Sequence, residues 1–304
     1  MSANWQSIEP GKARASVAQE DSPWGGPTLR LVTPGGTAEV ALQGAQLLSW
    51  QPTGHAPVVW TSPMERLGQP ASAPKPVRGG TPVCWPWFAN HATDAAKPAH
   101  GFVRTRIWEI ATVERAEDAV RATLRTATRP ADAAQWAGEA ELTMTVTLGD
   151  ALSLALTTRN TGKSACDITQ ALHTYFAVGD IADVTVEGFD GESYIDKLDG
   201  NARKQQAGAI TFTAEVDRIY DRHGGRAVIV DRGLRRRIEI DKHGSRSSVV
   251  WNPWAGKAAR LGDMGPNGWR RMVCVETCNA GADVVAIPAG GEHTLVATYR
   301  AQPL

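Results

Sequence analysis

Two arginines, a histidine and a pair of adjacent glycines fall among aromatic residues in one stretch of this 304-residue chain. The run Val77-Arg78-Gly79-Gly80-Thr81-Pro82-Val83-Cys84-Trp85-Pro86-Trp87-Phe88 is followed by His100-Gly101-Phe102-Val103-Arg104. A guanidinium holds oxyanions in a two-pronged grip, and glycine lets backbone N–H groups approach a ligand, so the combination suits a pocket for a small, oxygen-rich anion. Alone, the glycine pair is only a turn signal. Arg104 and Arg106 share a face if this segment leads into a strand, and one of them is then a surface charge.

Two other segments isolate titratable groups on apolar strands. In Gln170-Ala171-Leu172-His173-Thr174-Tyr175-Phe176, alternation puts Ala171, His173 and Tyr175 on one side, and the local pattern alone favours a hydrogen-bonded structural histidine. In Met272-Val273-Cys274-Val275-Glu276-Thr277-Cys278-Asn279, a lone carboxylate shares its face with two cysteines. Desolvation there raises its pKa toward neutrality, as suits a general base; an edge-strand glutamate facing water is the competing reading. Asp217, in Asp217-Arg218-Ile219-Tyr220 after a short expected strand at 210–213, either presents its carboxylate to sugar hydroxyls or performs turn chemistry. Among the eleven tryptophans, Trp85, Trp87, Trp251 and Trp254 flank these polar candidates and suit stacking on apolar sugar faces. The run Arg235-Arg236-Arg237 reads as a solvated strand edge.

The elements that must position these groups are strands. Ala140, Leu142, Met144, Val146 and Leu148 alternate with polar residues, as do Leu152, Leu154 and Leu156, and Gly149-Asp150 supplies a turn, so 139–160 reads as an antiparallel hairpin. Further short strands are expected at 37–51, 106–113, 119–127, 164–176, 226–231, 236–241, 247–252, 272–277 and 293–300, with single helical turns at 129–137 and 255–263. Many short strands without intervening helices predict an all-β sandwich or barrel in a single domain. The stretch from Gln69 to Pro76 reads as a loop delivering the chain to Arg78.

Lys plus Arg equals Asp plus Glu at 32 each, which supplies no net field toward nucleic acid or an anionic membrane. The polar start and the lack of a long apolar run predict a soluble cytoplasmic protein. Cys84, Cys166, Cys274 and Cys278 have neither zinc-site spacing nor disulfide-scaffold density. On one strand Cys274 and Cys278 would lie about 13 Å apart, too far for a bridge. All four read as reduced thiols.

These segments, with Val250-Trp251-Asn252-Pro253 and Val273-Cys274-Val275-Glu276-Thr277, occur in an order that resembles the aldose 1-epimerase (mutarotase) superfamily, within it the hexose-6-phosphate branch. The likeness spans about 28–300, leaving 1–27 as an N-terminal extension. The resemblance implies a large antiparallel β-sandwich with an open substrate groove, the galactose mutarotase-like supersandwich, over a 1–304 domain. It implies His173 as general acid, Glu276 as general base, His100 near the ring oxygen and Asp217 on the sugar hydroxyls. Arg78 and Arg104 match the phosphate-associated arginines, and Gln51 or Arg66 is a further helper. The expected activity interconverts α and β anomers of a hexose 6-phosphate by ring opening and closure, with His173 kept charged partly by the nearby carboxylate. No cofactor, metal, nucleic acid or membrane partner is expected, and a monomer acting on a small-molecule sugar phosphate follows. The rivals are a mutarotase of unphosphorylated aldoses and a non-catalytic carbohydrate-binding sandwich; glycoside hydrolysis would need a second suitable carboxylate.

Overall fold

The hairpin forms as strands Ala140–Leu148 and Leu152–Asn160, whose burial alternates residue by residue because one face meets the core and the other does not. In this computed structural model, residues 14–64 and 75–304 are described, so Arg66 and most of the loop expected from Gln69 lie outside the described residues. Among them, the hairpin sits inside an eight-stranded sheet ordered Val184–Glu187, Ala227–Asp231, Arg236–His243, Glu292–Pro303, Leu152–Asn160, Ala140–Leu148, Val120–Ala127 and Glu109–Arg115. A second eight-stranded sheet runs Ala202–Gln205, Ser193–Asp196, Val216–Tyr220, Ser247–Asn252, Met272–Asn279, Gln170–Leu172 and Val83–Cys84, with Tyr175–Ala177 also paired to Met272–Asn279. A four-stranded sheet, Ser16–Asp21, Pro27–Thr33, Gly36–Ala41 and Leu47–Pro52, completes the main framework. The named strands pair antiparallel, as expected of an all-β sandwich.

One apolar cluster joins these layers: Leu142, Leu154 and Tyr299 from the first sheet, Phe176, Val273 and Val275 from the second, and Leu29 and Leu31 from the third. Each such buried side chain stabilises the fold by roughly 1.5–3 kcal/mol before conformational entropy is subtracted.

The differences from expectation lie where local pattern is weakest. The 37–51 run divides into Gly36–Ala41 and Leu47–Pro52, and 164–176 divides into Cys166–Ile168, Gln170–Leu172 and Tyr175–Ala177. The expected strand at 210–213 is replaced by a lone bridge from Ile210 to Val186, and Asp217 itself lies within strand Val216–Tyr220. The turn expected at 255–263 is a two-turn helix, Trp254–Leu261, closed by Gly262 in the left-handed region at φ 71°. Ser16–Asp21, inside the presumed extension, pairs along its length with Pro27–Thr33.

Arg236 corrects the reading of a solvated arginine run. Its strand lies between two others, and its side chain is 1% exposed. Its guanidinium donates to the carbonyls of Ala56 (2.6 Å), Pro57 (2.9 Å) and Ala177 (2.7 Å), with Asp231 at 3.7 Å. Those acceptors come from segments remote in sequence, which is why three consecutive arginines looked like surface.

Candidate active site

Alternation along Met272–Asn279 sends Val273 and Val275 into the main core and Cys274 and Cys278 into a second apolar cluster on the opposite face. Glu276 projects on that second face, into a cavity of about 600 Å³. Cross-strand register does the rest: Val249 lies opposite Glu276, and Trp251 lies opposite Cys274 on one side and Asp217 on the other. His173 follows Gln170–Leu172, the neighbour of the Glu276 strand. Its backbone N–H donates to the Pro82 carbonyl, and that of Tyr175 donates to Gly80, which draws the Arg78 segment alongside. Arg78, His100, Arg104, His173, Asp217 and Glu276 all line this cavity.

His173 Nε2 stands 3.3 Å from Glu276 Oε1. Among the described residues, Glu276 Oε2 and His173 Nδ1 are buried without a hydrogen-bond partner. The carboxyl side chain is 1% exposed and the imidazole 12%. Burial lifts the Glu276 pKa well above its usual range, and the charge of Asp217 adds to this. Burial lowers His173 well below its ordinary value, helped by His100, Arg78 and Arg104. Burial thus works against charge on both members of the pair, opposing the attraction between carboxylate and imidazolium across the contact.

His100 has a fixed tautomer. Its Nδ1 accepts the Ala89 backbone N–H at 3.2 Å, so the ring proton sits on Nε2 and is available as a donor. Burial, with Arg104 and Arg78 adding to it, lowers its pKa to about 3, so it stays neutral. The following glycine is obligatory: at φ 71°, a Cβ on Gly101 would lie 1.8 Å from the Trp85 carbonyl oxygen.

Arg78 donates from Nε (3.0 Å) and one terminal nitrogen (2.9 Å) to Asp263 Oδ2, and from the other to Tyr175 Oη at 2.9 Å. The Tyr175 ring stacks on His173 with centroids 5.0 Å apart at 15°. Arg104 donates to the Ala99 carbonyl at 2.5 Å, while its Nε is buried without a partner among the described residues. Asp217 Oδ2 faces Lys257 at 3.7 Å, and burial raises the Asp217 pKa.

Several expectations are corrected. Arg106 does not share the face of Arg104, because Val103–Thr105 is a 3-10 turn and not the start of a strand; Arg106 pairs with Asp132 and covers the Phe102 ring. The glycines at 79 and 80 serve chain passage: the Gly80 N–H is used by the Trp60 carbonyl, and a Cβ on Gly79 would lie 2.4 Å from Thr61 Cα. Of the four flanking tryptophans, Trp251 lines the cavity; Trp85 is core, Trp87 donates to Pro98, and Trp254 packs on Trp269. Gln51 donates to the His55 carbonyl on the surface. The four cysteines are unpaired, and burial holds Cys278 up at about 12, a thiol. Sequence reasoning missed Asp263 and Lys257. Nothing local marks either one, since each reaches the cavity from the helix Trp254–Leu261 or the loop after it.

Among the described residues, no group of three or more His, Cys, Asp or Glu side chains is arranged to hold a metal ion, and no helix is long and apolar enough to cross a membrane. The aldose 1-epimerase family model matches residues 27–300. A relative from Salmonella typhimurium, provisionally named a glucose-6-phosphate 1-epimerase, is 36% identical over 246 residues, covering 81% of this chain and 80% of its own. One from Cenchrus ciliaris with the same provisional name is 34% identical, covering 79% and 74%. A solved Salmonella typhimurium structure, provisionally named a mutarotase, superposes with a TM-score of 0.86 at 28% identity, covering 99% of this chain and 97% of its own. A galactose mutarotase-like protein from Clostridium acetobutylicum, at 12% identity and a TM-score of 0.75 over 96% and 99%, shares the fold. With the sandwich, the groove and the family match in agreement, the chain belongs to the aldose 1-epimerase family.

Proposed function

We propose that this enzyme interconverts the α and β anomers of a hexose 6-phosphate, glucose 6-phosphate foremost, with His173 and Glu276 as its acid and base. The observation that carries this reading is the 3.3 Å contact of His173 with Glu276 in the same cavity as Arg78 and Arg104. A non-catalytic lectin has no use for such a pair, and a mutarotase of free sugars has no use for two guanidinium groups beside it.

Anomers interchange when the ring opens, the C1–C2 bond rotates and the ring closes on the other carbonyl face. In the opening step Glu276, as carboxylate, takes the O1 proton while His173, as imidazolium, gives one to the ring oxygen; the C1–O5 bond breaks and C1 becomes an aldehyde. The pair is then a neutral carboxyl and a neutral imidazole, the arrangement that burial favours. Closure reverses both transfers, so no proton is gained or lost overall. The unpartnered Glu276 Oε2 is free to meet O1. His100 donates from Nε2 to a substrate oxygen, Asp217 accepts from hydroxyls, and the Trp251 ring offers an apolar wall. Arg78 and Arg104 hold the phosphate, which fixes the sugar without touching C1.

Saturation-transfer NMR of the glucose 6-phosphate anomers measures the exchange directly. Acceleration by the wild-type protein is expected, and its absence would end the proposal.

A further inference from the structure

Arg78 is carried by an irregular stretch of chain. Residues 77–82 belong to no strand and meet their neighbours through isolated bridges, Gly79 with Thr61 and Thr81 with Leu47. Two glycines in the left-handed region follow it at once, Gly79 at φ 106° and Gly80 at φ 65°. Nothing in such a segment is stiff by itself, yet a guanidinium that grips an oxyanion by two parallel hydrogen bonds has to be held in one orientation. The carbonyls around Arg78 show what holds it. Those of Val77 and Gly79, one on either side, accept from the Gln46 amide nitrogen at 3.2 and 2.6 Å, which uses both of its protons. The carbonyl of Arg78 itself accepts from the Ser62 N–H at 3.0 Å. Ser62 also donates its hydroxyl to the Asp263 carbonyl at 2.6 Å, so one residue ties the backbones of both partners in the Arg78–Asp263 ion pair. At the side chain, Asp263 and Tyr175 take three of the five guanidinium N–H groups; among the described residues two remain, the number a bidentate phosphate contact needs. Gln46 is 0% exposed and stands behind the cavity wall, not on it.

We propose that Gln46 is a positioning residue for the phosphosugar: by tying together the carbonyls on either side of Arg78, it fixes the backbone from which the guanidinium reaches the phosphoryl group. Gln46 touches no substrate and acts through Arg78. A methionine in its place keeps the shape but leaves both carbonyls without a donor, and the glycine-flanked segment loses the contact that stiffens it. Arg78 then has to be ordered by the substrate itself. Ordering one long side chain on binding weakens affinity by about 2- to 10-fold. That loss belongs to the phosphosugar and falls on KM, because the group being ordered meets the phosphate and not the reacting carbon. This rests on the hexose-phosphate reading above, but it fails or stands separately.

A double-mutant cycle of Gln46→Met and Arg78→Met tests it, with kcat and KM read by saturation-transfer NMR on glucose 6-phosphate and on free glucose. With Arg78 present, Gln46→Met should raise KM for glucose 6-phosphate about 2- to 10-fold, leave kcat within about twofold, and change glucose exchange less. In the Arg78→Met background it should add no further loss. A glutamine that serves only the fold gives losses that add and that fall on both sugars alike. The proposal is overturned if the Gln46→Met loss persists undiminished without Arg78, if it is equal for the two sugars, if it falls on kcat, or if there is no loss. Should Gln46→Met not fold, Gln46→Asn, whose shorter stem cannot span both carbonyls, goes through the same cycle with the same outcomes; if neither folds, the residue serves the fold and the proposal falls. Lack of glucose 6-phosphate exchange by the wild type, or equal losses for both sugars from Arg78→Met, would instead strike the underlying reading.

Discussion

Glu276→Gln separates catalysis from both binding and folding. The amide matches the carboxyl in shape and can keep the 3.3 Å contact to His173 Nε2, but it cannot accept the anomeric proton. A positioned general base contributes on the order of 10² to 10⁴ in rate, so turnover should fall by that factor, equivalent to roughly 3–5 kcal/mol in the barrier. Stability should move the other way with pH. The folded pKa of Glu276 is raised above its ordinary 4.5, so its contribution is fully present below that value and is lost as pH rises through the folded pKa. Glutamine mimics the neutral form at every pH, and the variant should therefore gain on the wild type as pH rises. Saturation-transfer NMR reads the rate, calorimetry reads glucose 6-phosphate binding, and chemical denaturation across pH reads stability. Turnover within about tenfold of wild type with binding intact would refute the role given to this carboxylate.

Three further outcomes follow. Arg78→Ala should lower kcat/KM for glucose 6-phosphate by roughly 10- to 100-fold, the worth of a charge-assisted hydrogen bond, and change it less for glucose, which has no phosphate to lose; equal losses for both sugars would favour a mutarotase of free aldoses. Arg236→Met should cost about 3–5 kcal/mol in chemical denaturation, because it strands Asp231 and three carbonyl acceptors in the interior; a loss no larger than that of a surface arginine would contradict the burial argument. His100 and His223 have folded pKa values lowered from 6.5 to about 3 and about 4. Their contribution is present above pH 6.5 and is lost as pH falls toward those folded values, so the denaturation midpoint should drop across that window. His223→Gln should flatten the drop, since burial, with the Lys242 charge adding to it, is what keeps this ring neutral.

Strand periodicity could be read because it is local: successive side chains point to opposite faces whatever lies beyond them. That was enough for the 139–160 hairpin, for the face shared by Cys274, Glu276 and Cys278, and for the sandwich class. The ordered motifs from Arg78 to Thr277 pointed to the family, and all six residues read as site members do line one cavity. Locally ambiguous positions went either way, as with Asp217, which lies in a strand where a turn was equally readable.

Only the assembled sheets decided the rest. Arg104 and Arg106 differ by two positions, yet one lines the cavity and the other pairs with Asp132, because a 3-10 turn replaces the strand geometry that would have aligned them. Asp263 reaches Arg78 across 185 positions, and Arg236 reaches Ala56 across 180. The pKa shifts of His173 and Glu276 come first from desolvation, and for His173 also from guanidinium groups carried on other segments. Side-chain direction follows from bonded geometry and is written in the sequence. Burial, field and hydrogen-bond partners are set by which remote strands pair, and exist only once the chain has folded.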